Sequence, residues 1–125
     1  MDATQIPLFD LADKRLAWVD RRQQVLAQNI ANADTPHFQA RDLAPFVAQL
    51  NRASLAPVMT NPMHLAGSPS MIAGTTPKAS ERAPDGNAVS LDVELSKVAD
   101  TDATHELVGD IYRKYLGFFR LAIGK

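Results

Sequence analysis

The two long apolar periodicities of this chain lie at its ends, over residues 8–34 and 90–123, and seven of its eight prolines fall between them. Ordinary domains keep their best pattern inside and let their termini fray. A chain arranged the other way completes itself by pairing its ends, with each other and with further subunits.

The first pattern predicts a helix from Pro7 or Leu8 to about Ala33. Proline suits a first helical turn, where its missing N–H has no partner to lose. Phe9, Ala12, Leu16, Val19, Leu26, Ile30 and Ala33 alternate in steps of three and four, with Gln23 in the one vacant heptad place. That is a coiled-coil seam with a polar break. Leu8, Leu11, Trp18 and Val25 widen it, and Asp34-Thr35-Pro36 ends it, because a residue before proline is pushed out of the α region.

The second pattern predicts a helix with Ser90 as N-cap, with Asp92 and Glu94 in the first turn, where the helix dipole favours carboxylates. Leu95, Val98, Tyr112, Leu116, Phe119 and Ile123 share one stripe; Val108, Ile111, Tyr115, Phe118 and Ala122 form a neighbouring one. Thr101, Asp102, Thr104 and Gly109 are weak helix formers in its middle. A helix from Leu91 to Ile123 is about 50 Å long, whereas a compact globule of this size is roughly 36 Å across. The pattern therefore predicts a mainly α fold. Long N- and C-terminal helices pair as an antiparallel coiled-coil-like rod, with an irregular proline-rich middle. The expected parts are 1–35, 36–89 and 90–125 of one structural domain. In the middle part, Leu43–Leu50 reads as a helical turn or two beginning near Pro45. Residues 68–87 read as loop, and Asp85-Gly86-Asn87 as a turn.

Composition narrows the chemistry. Hydrophobic residues make up 46%, aromatics 6%, and the formal net charge is -1, with no cysteine. Disulfides and thiolate metal sites are excluded, and no global charge draws the chain to nucleic acid or anionic membrane. Arg15, Arg21, Arg22 and Arg41 alternate with Asp10, Asp13, Asp20 and Asp42, which predicts a salt-bridged face. His37, His64 and His105 fit no zinc spacing. Ser54, Ser68 and Ser70 sit in no nucleophile elbow, and Gly74–Lys78 is no phosphate loop. The expectation is no enzyme, no cofactor and no metal. The first residues, Met1-Asp2-Ala3-Thr4-Gln5, carry no basic and apolar leader pattern, so any export is expected to proceed without a cleaved signal.

Residues 26–42 read LAQNIANADTPHFQARD. This stretch resembles the N-terminal signature of bacterial flagellar basal-body rod proteins: Asn29-Ile30-Ala31-Asn32, then Thr35-Pro36, the aromatic Phe38 and the basic Arg41. Thr60-Asn61-Pro62-Met63-His64-Leu65 and Asp85-Gly86-Asn87-Ala88-Val89-Ser90-Leu91-Asp92 resemble segments of the proximal members of that family, in the same order. The family usually has glycine or a small residue after Thr-Pro, where this chain has His37.

The resemblance implies a structural subunit of a periplasmic rod that transmits torque. It implies export through the flagellar type III apparatus, and partners among other rod proteins, the rod–MS-ring adaptor and the MS ring, with no membrane insertion. Leu16, Val19, Leu26, Asn29, Ile30 and Asn32 on the first helix, and Ile111, Tyr115, Leu116 and Phe119 on the second, are the expected assembly contacts. Thr35, Pro36, Phe38 and Arg41 form the expected signature turn. A self-contained monomeric helical-hairpin binding module is the competing reading, and a small histidine-dependent hydrolase a third.

Overall fold

The computed structural model describes residues 7–54 and 82–124, with the side chains of 52–54 left aside. Three helices form among them: α1 (Pro7–Ala31, 25 residues), α2 (Phe46–Ser54, 9 residues) and α3 (Leu91–Ala122, 32 residues). No β-strand is found among the described residues. The Thr60–Leu65 motif, His64 and most of the expected 68–87 loop lie outside them.

The two long helices are antiparallel. Phe9 meets Tyr112 edge-to-face with ring centroids 4.9 Å apart. Asp20 faces His105 at 4.0 Å, Gln23 bonds Asp102, and Asn29 bonds Glu94. Each step along α1 is matched by a step back along α3. At 1.5 Å per residue the helices are roughly 38 and 48 Å long. The longer one therefore runs about 15 Å, or ten residues, beyond its clasp at Tyr112.

The α1 seam lies where its spacing puts it. Phe9, Ala12, Val19 and Leu26 are buried, Leu16, Ile30 and Ala33 half-buried, and Gln23 reaches across to the Asp102 carboxylate. The polar break in the heptad is thus matched by a polar residue on the opposite helix. The expected Pro7 start holds, and the helix closes at Ala31, two residues early. Its last carbonyls are taken up by tighter turns, with Ala33 N bonding Ile30 O at 3.1 Å and Thr35 N bonding Asn32 O at 3.0 Å.

α2 begins directly after Pro45, whose carbonyl accepts from the Ala48 and Gln49 amides. Trp18 anchors it. The indole lies edge-on to Phe46 at 6.2 Å and donates its N–H to Ala44 O at 3.0 Å. Trp18, Val19 and Leu43 form the core cluster, with Val25 and Phe46 against it.

α3 departs from its sequence pattern in one respect. The apolar stripe that includes Leu95 does not face α1 along the first half. Leu95 is exposed, while Glu94 and Thr101 are buried at 2% and 0% exposure. Polar partners on α1 decide this orientation, as set out below. The helix is unbroken through its weak formers, and the hydroxyls of Thr101 and Thr104 are satisfied within it, on Lys97 O at 2.6 Å and Asp100 O at 2.8 Å. Ser90 occupies the N-cap place in extended conformation (φ -99, ψ 111) and contributes its carbonyl rather than its hydroxyl.

Leu26 has 0% exposure in the middle of the seam. Leu26→Ala should lower the free energy of unfolding by about 2–5 kcal/mol, read from urea denaturation followed by circular dichroism.

Candidate functional site

The signature residues gather at one joint, where the end of α1, the chain that follows it and the start of α3 meet. Asn29, at 1% exposure, lies at its centre. Its amide nitrogen donates to Arg41 O at 2.6 Å and to Glu94 Oε2 at 2.8 Å, and its oxygen accepts from Arg41 N at 3.0 Å. A side-chain amide thereby pairs with both backbone polar groups of one residue, as a neighbouring β-strand would. An asparagine supplies both donor and acceptor for that pairing.

Glu94 passes the network on. Its second oxygen accepts from Lys97 Nζ at 2.8 Å, and Lys97 lies 3.8 Å from Asp42. Asp42 receives Arg22 bidentately, at 2.9 Å from Nε and 3.0 Å from Nη2, and also accepts from the Leu43 amide. Arg22 extends a third donor to the Thr101 hydroxyl. Two cations and two carboxylates therefore balance inside the joint, and among the described residues no buried side-chain nitrogen or oxygen lacks a partner. Such closure matters because a buried polar group without one costs about 1–3 kcal/mol.

Burial alone would push the Asp42 carboxyl up. The Arg22 hydrogen bonds and charge, the Leu43 amide and Lys97 outweigh it and hold Asp42 below the ordinary carboxylate range. The hydrogen bond to Asp42 correspondingly raises Arg22 against the effect of its own burial.

A second set of bonds closes the signature turn onto the segment before α3. Asn87 donates to Asn32 O at 3.0 Å and to Thr35 O at 2.7 Å, capping the end of α1 from 55 positions away. Asn32 holds Gln28 O with its own amide nitrogen and accepts from the Thr35 hydroxyl at 3.1 Å. Ala88 N bonds Phe38 O, and His37 N bonds Asp85 O. The expected Asp85-Gly86-Asn87 turn is present, with Gly86 at φ 82. A Cβ on Gly86 would stand 2.4 Å from His37 Nδ1 and would have to displace that exposed ring, so the positive φ is the firmer reason for glycine there. His37 itself has φ 59, in the left-handed region that favours glycine. That backbone explains why a glycine suits this position and why this chain carries strain there.

The expected contact residues divide by location. Val19, Leu26 and Asn29 are enclosed by this chain's own residues. Leu16, Ile30, Asn32, Leu116 and Phe119 are half-buried, and Ile111 and Tyr115 are exposed. In the signature turn Thr35 and Pro36 are exposed and Phe38 is half-buried. Arg41 contributes its backbone to Asn29 and leaves its side chain in solvent.

The expected salt-bridged face includes Arg22 and Asp42, which do pair, but the pattern of charge and spacing does not bring Glu94, Lys97, Thr101 or Asn87 to the joint. Glu94 reads from sequence as a solvated first-turn acid, yet it is buried, because Asn29 and Lys97 both reach it. The poor helix former Thr101 and the Asp85-Gly86-Asn87 turn were the available signals for the rest.

Beyond the joint, Leu107, Ile111, Tyr115 and Phe118 form an exposed apolar stripe in steps of four, four and three along the second half of α3, its last two members past the Tyr112 clasp. Among the described residues no three His, Asp or Glu side chains gather as a metal site, and no helix is long and apolar enough to cross a membrane.

With Asp42 depressed, the stability it contributes is present above the ordinary carboxylate range and is lost as pH falls through its native value. Asp42→Asn should cost about 1–3 kcal/mol near neutral pH, by leaving Arg22 half-buried without its anion. The gap from wild type should close as pH falls below about 4, read from urea midpoints across pH.

No protein-family model matches the chain. Individual relatives do. The flagellar basal body rod protein FlgB of Agrobacterium fabrum is 33% identical over 117 residues, covering 88% of this chain and 87% of its own. FlgB of Proteus mirabilis (strain HI4320) is 34% identical over 112 residues, covering 78% and 80%. FlgB of Escherichia coli K12 is 35% identical over 104 residues, covering 70% and 71%. With that identity sustained across most of both chains, and with the signature residues forming one closed joint, the chain belongs to the FlgB family of flagellar basal body rod proteins.

Proposed function

We propose that this protein is a structural, non-enzymatic subunit of the proximal rod of the flagellar basal body, and that the exposed face of the second half of α3 is its main assembly surface. The carrying observation is that Ile111, Tyr115 and Phe118 repeat on one exposed face of α3, with exposures of 39%, 47% and 53%, and that Tyr115 and Phe118 lie past the Tyr112 clasp, where α3 runs beyond the described part of α1. Large apolar side chains repeating on one exposed face mark an interaction surface. A helical rod grows by contacts that do not close on themselves, and a surface carried past the end of the hairpin suits that geometry. Leu116 and Phe119, half-buried beside the stripe, widen the contact.

Leu16, Ile30 and Asn32 reach the surface at the edge of the α1 seam and supply secondary contacts. Val19, Leu26 and Asn29 serve assembly indirectly, by fixing the hairpin that presents the stripe. The division 1–35, 36–89 and 90–125 then separates the two helical arms from the segment that joins them. Torque passes through desolvated side-chain contacts between subunits. The partners in this reading are other rod proteins, the rod–MS-ring adaptor and the MS ring, after export through the type III apparatus without a cleaved signal to a periplasmic rod.

The test is complementation of a strain lacking this gene. Ile111→Glu combined with Phe118→Glu should abolish swimming while leaving the helix content of the purified chain within about 10% of wild type, because both positions already face water. Normal swimming by that variant would contradict the proposed surface.

A further inference from the structure

A depression lies on the flank of α1, away from the stripe. Arg15, Trp18, Arg22, Asp42, Phe46 and Lys97 line this open depression of about 480 Å³. Three of the six are cations and one is an anion, in a chain whose net charge is -1. Arg22 is taken up by Asp42, and Lys97 by Glu94. Arg15 is not taken up. Its guanidinium lies over the Trp18 ring at 4.6 Å and the Phe46 ring at 4.8 Å, and it forms no ion pair with a described residue. Partial burial and the nearby charge of Arg22 both push it below its ordinary range. A cation held against two rings and beside like charge is completed by a carboxylate arriving with an apolar neighbour.

The same molecule carries that complement elsewhere. Asp92 stands on the outer side of α3, two residues before buried Glu94 and therefore on the opposite face of the helix. Leu91, Val93 and Leu95 around it are exposed at 47%, 45% and 55%. Asp92 makes no ion pair among the described residues. Facing away from α1, it is turned from its own depression, so a second copy has to bring it.

We propose that the Arg15 depression of one subunit receives Asp92 and its flanking leucines from a second copy of this chain. The contact rests on the rod reading and adds to it a charged, orientation-setting lateral contact distinct from the apolar stripe. Desolvated charge pairs of this kind fix register and suppress wrong pairings.

Charge reversal tests it on the full-length protein. Sedimentation velocity over a concentration series compares wild type, Arg15→Glu, Asp92→Arg and the double variant, with circular dichroism on each. Either single reversal should raise the concentration at half-association about tenfold or more. The double variant should return it to within about threefold of wild type, and raised salt should weaken wild type more than the single reversals. If Arg15→Glu loses helix, Arg15→Gln takes its place, with the same direction expected.

Single reversals that associate like wild type, a double variant no better than the singles, or a wild type that is monomeric throughout would each overturn the proposal. The rod reading is judged separately. Loss of swimming on stripe substitution, with unchanged association on charge reversal, would leave the rod assignment standing and remove only this contact.

Discussion

The pairing of one buried asparagine side chain with the backbone N–H and C=O of one residue organises this molecule. Asn29 holds the backbone of Arg41 by two hydrogen bonds and the Glu94 carboxylate by a third. The chain after α1 must therefore double back along the helix it has just left. The same side chain turns the polar edge of α3 inward, since a carboxylate that bonds Asn29 and Lys97 cannot also face water. The register of the hairpin follows, and with it the distance by which α3 overhangs. Apolar burial at Val19 and Leu26 drives the two helices together without direction. The polar joint selects one alignment among those that burial alone would accept.

The joint explains a division along α3. Its first half faces α1 with Glu94, Lys97, Thr101 and Thr104, each satisfied inside the chain. Its second half faces α1 with Val108 and Tyr112 and then runs on without it. Specificity within the subunit is concentrated at one end, and sticky surface at the other. Under the proposed rod function, this arrangement lets a subunit keep its own shape while the other end of the helix pair meets neighbours.

Much of the fold could be read from residue spacing. The α1 seam falls on the steps of three and four, down to the polar place at Gln23, because a coiled-coil period leaves few alternative faces. The limits of α3 follow from Ser90 and the first-turn acids. The face of α3 was less legible. Hydrophobic spacing groups Leu95 with Val98, but a buried glutamate satisfied by an asparagine 65 positions away overrides that pattern, and no local rule encodes so distant a partner. The signature turn announced itself through Asn29, Asn32 and Thr35, while Asn87, which caps it, reads in sequence only as part of a turn. Arg41 was legible as a signature position, although its contribution is a backbone amide and carbonyl, which composition cannot reveal.

Native-state hydrogen exchange at the Arg41 amide tests the central role of Asn29 most directly. This N–H lies in a non-helical segment beside an exposed side chain, and its acceptor is the Asn29 side-chain oxygen at 3.0 Å. The account predicts protection approaching that of the α1 core amides, because opening the bond requires opening the joint. It further predicts that Asn29→Ala removes that protection while amides at the Phe9 end of α1 keep theirs. An Arg41 amide that exchanges as fast as exposed loop amides in the wild-type protein would contradict it.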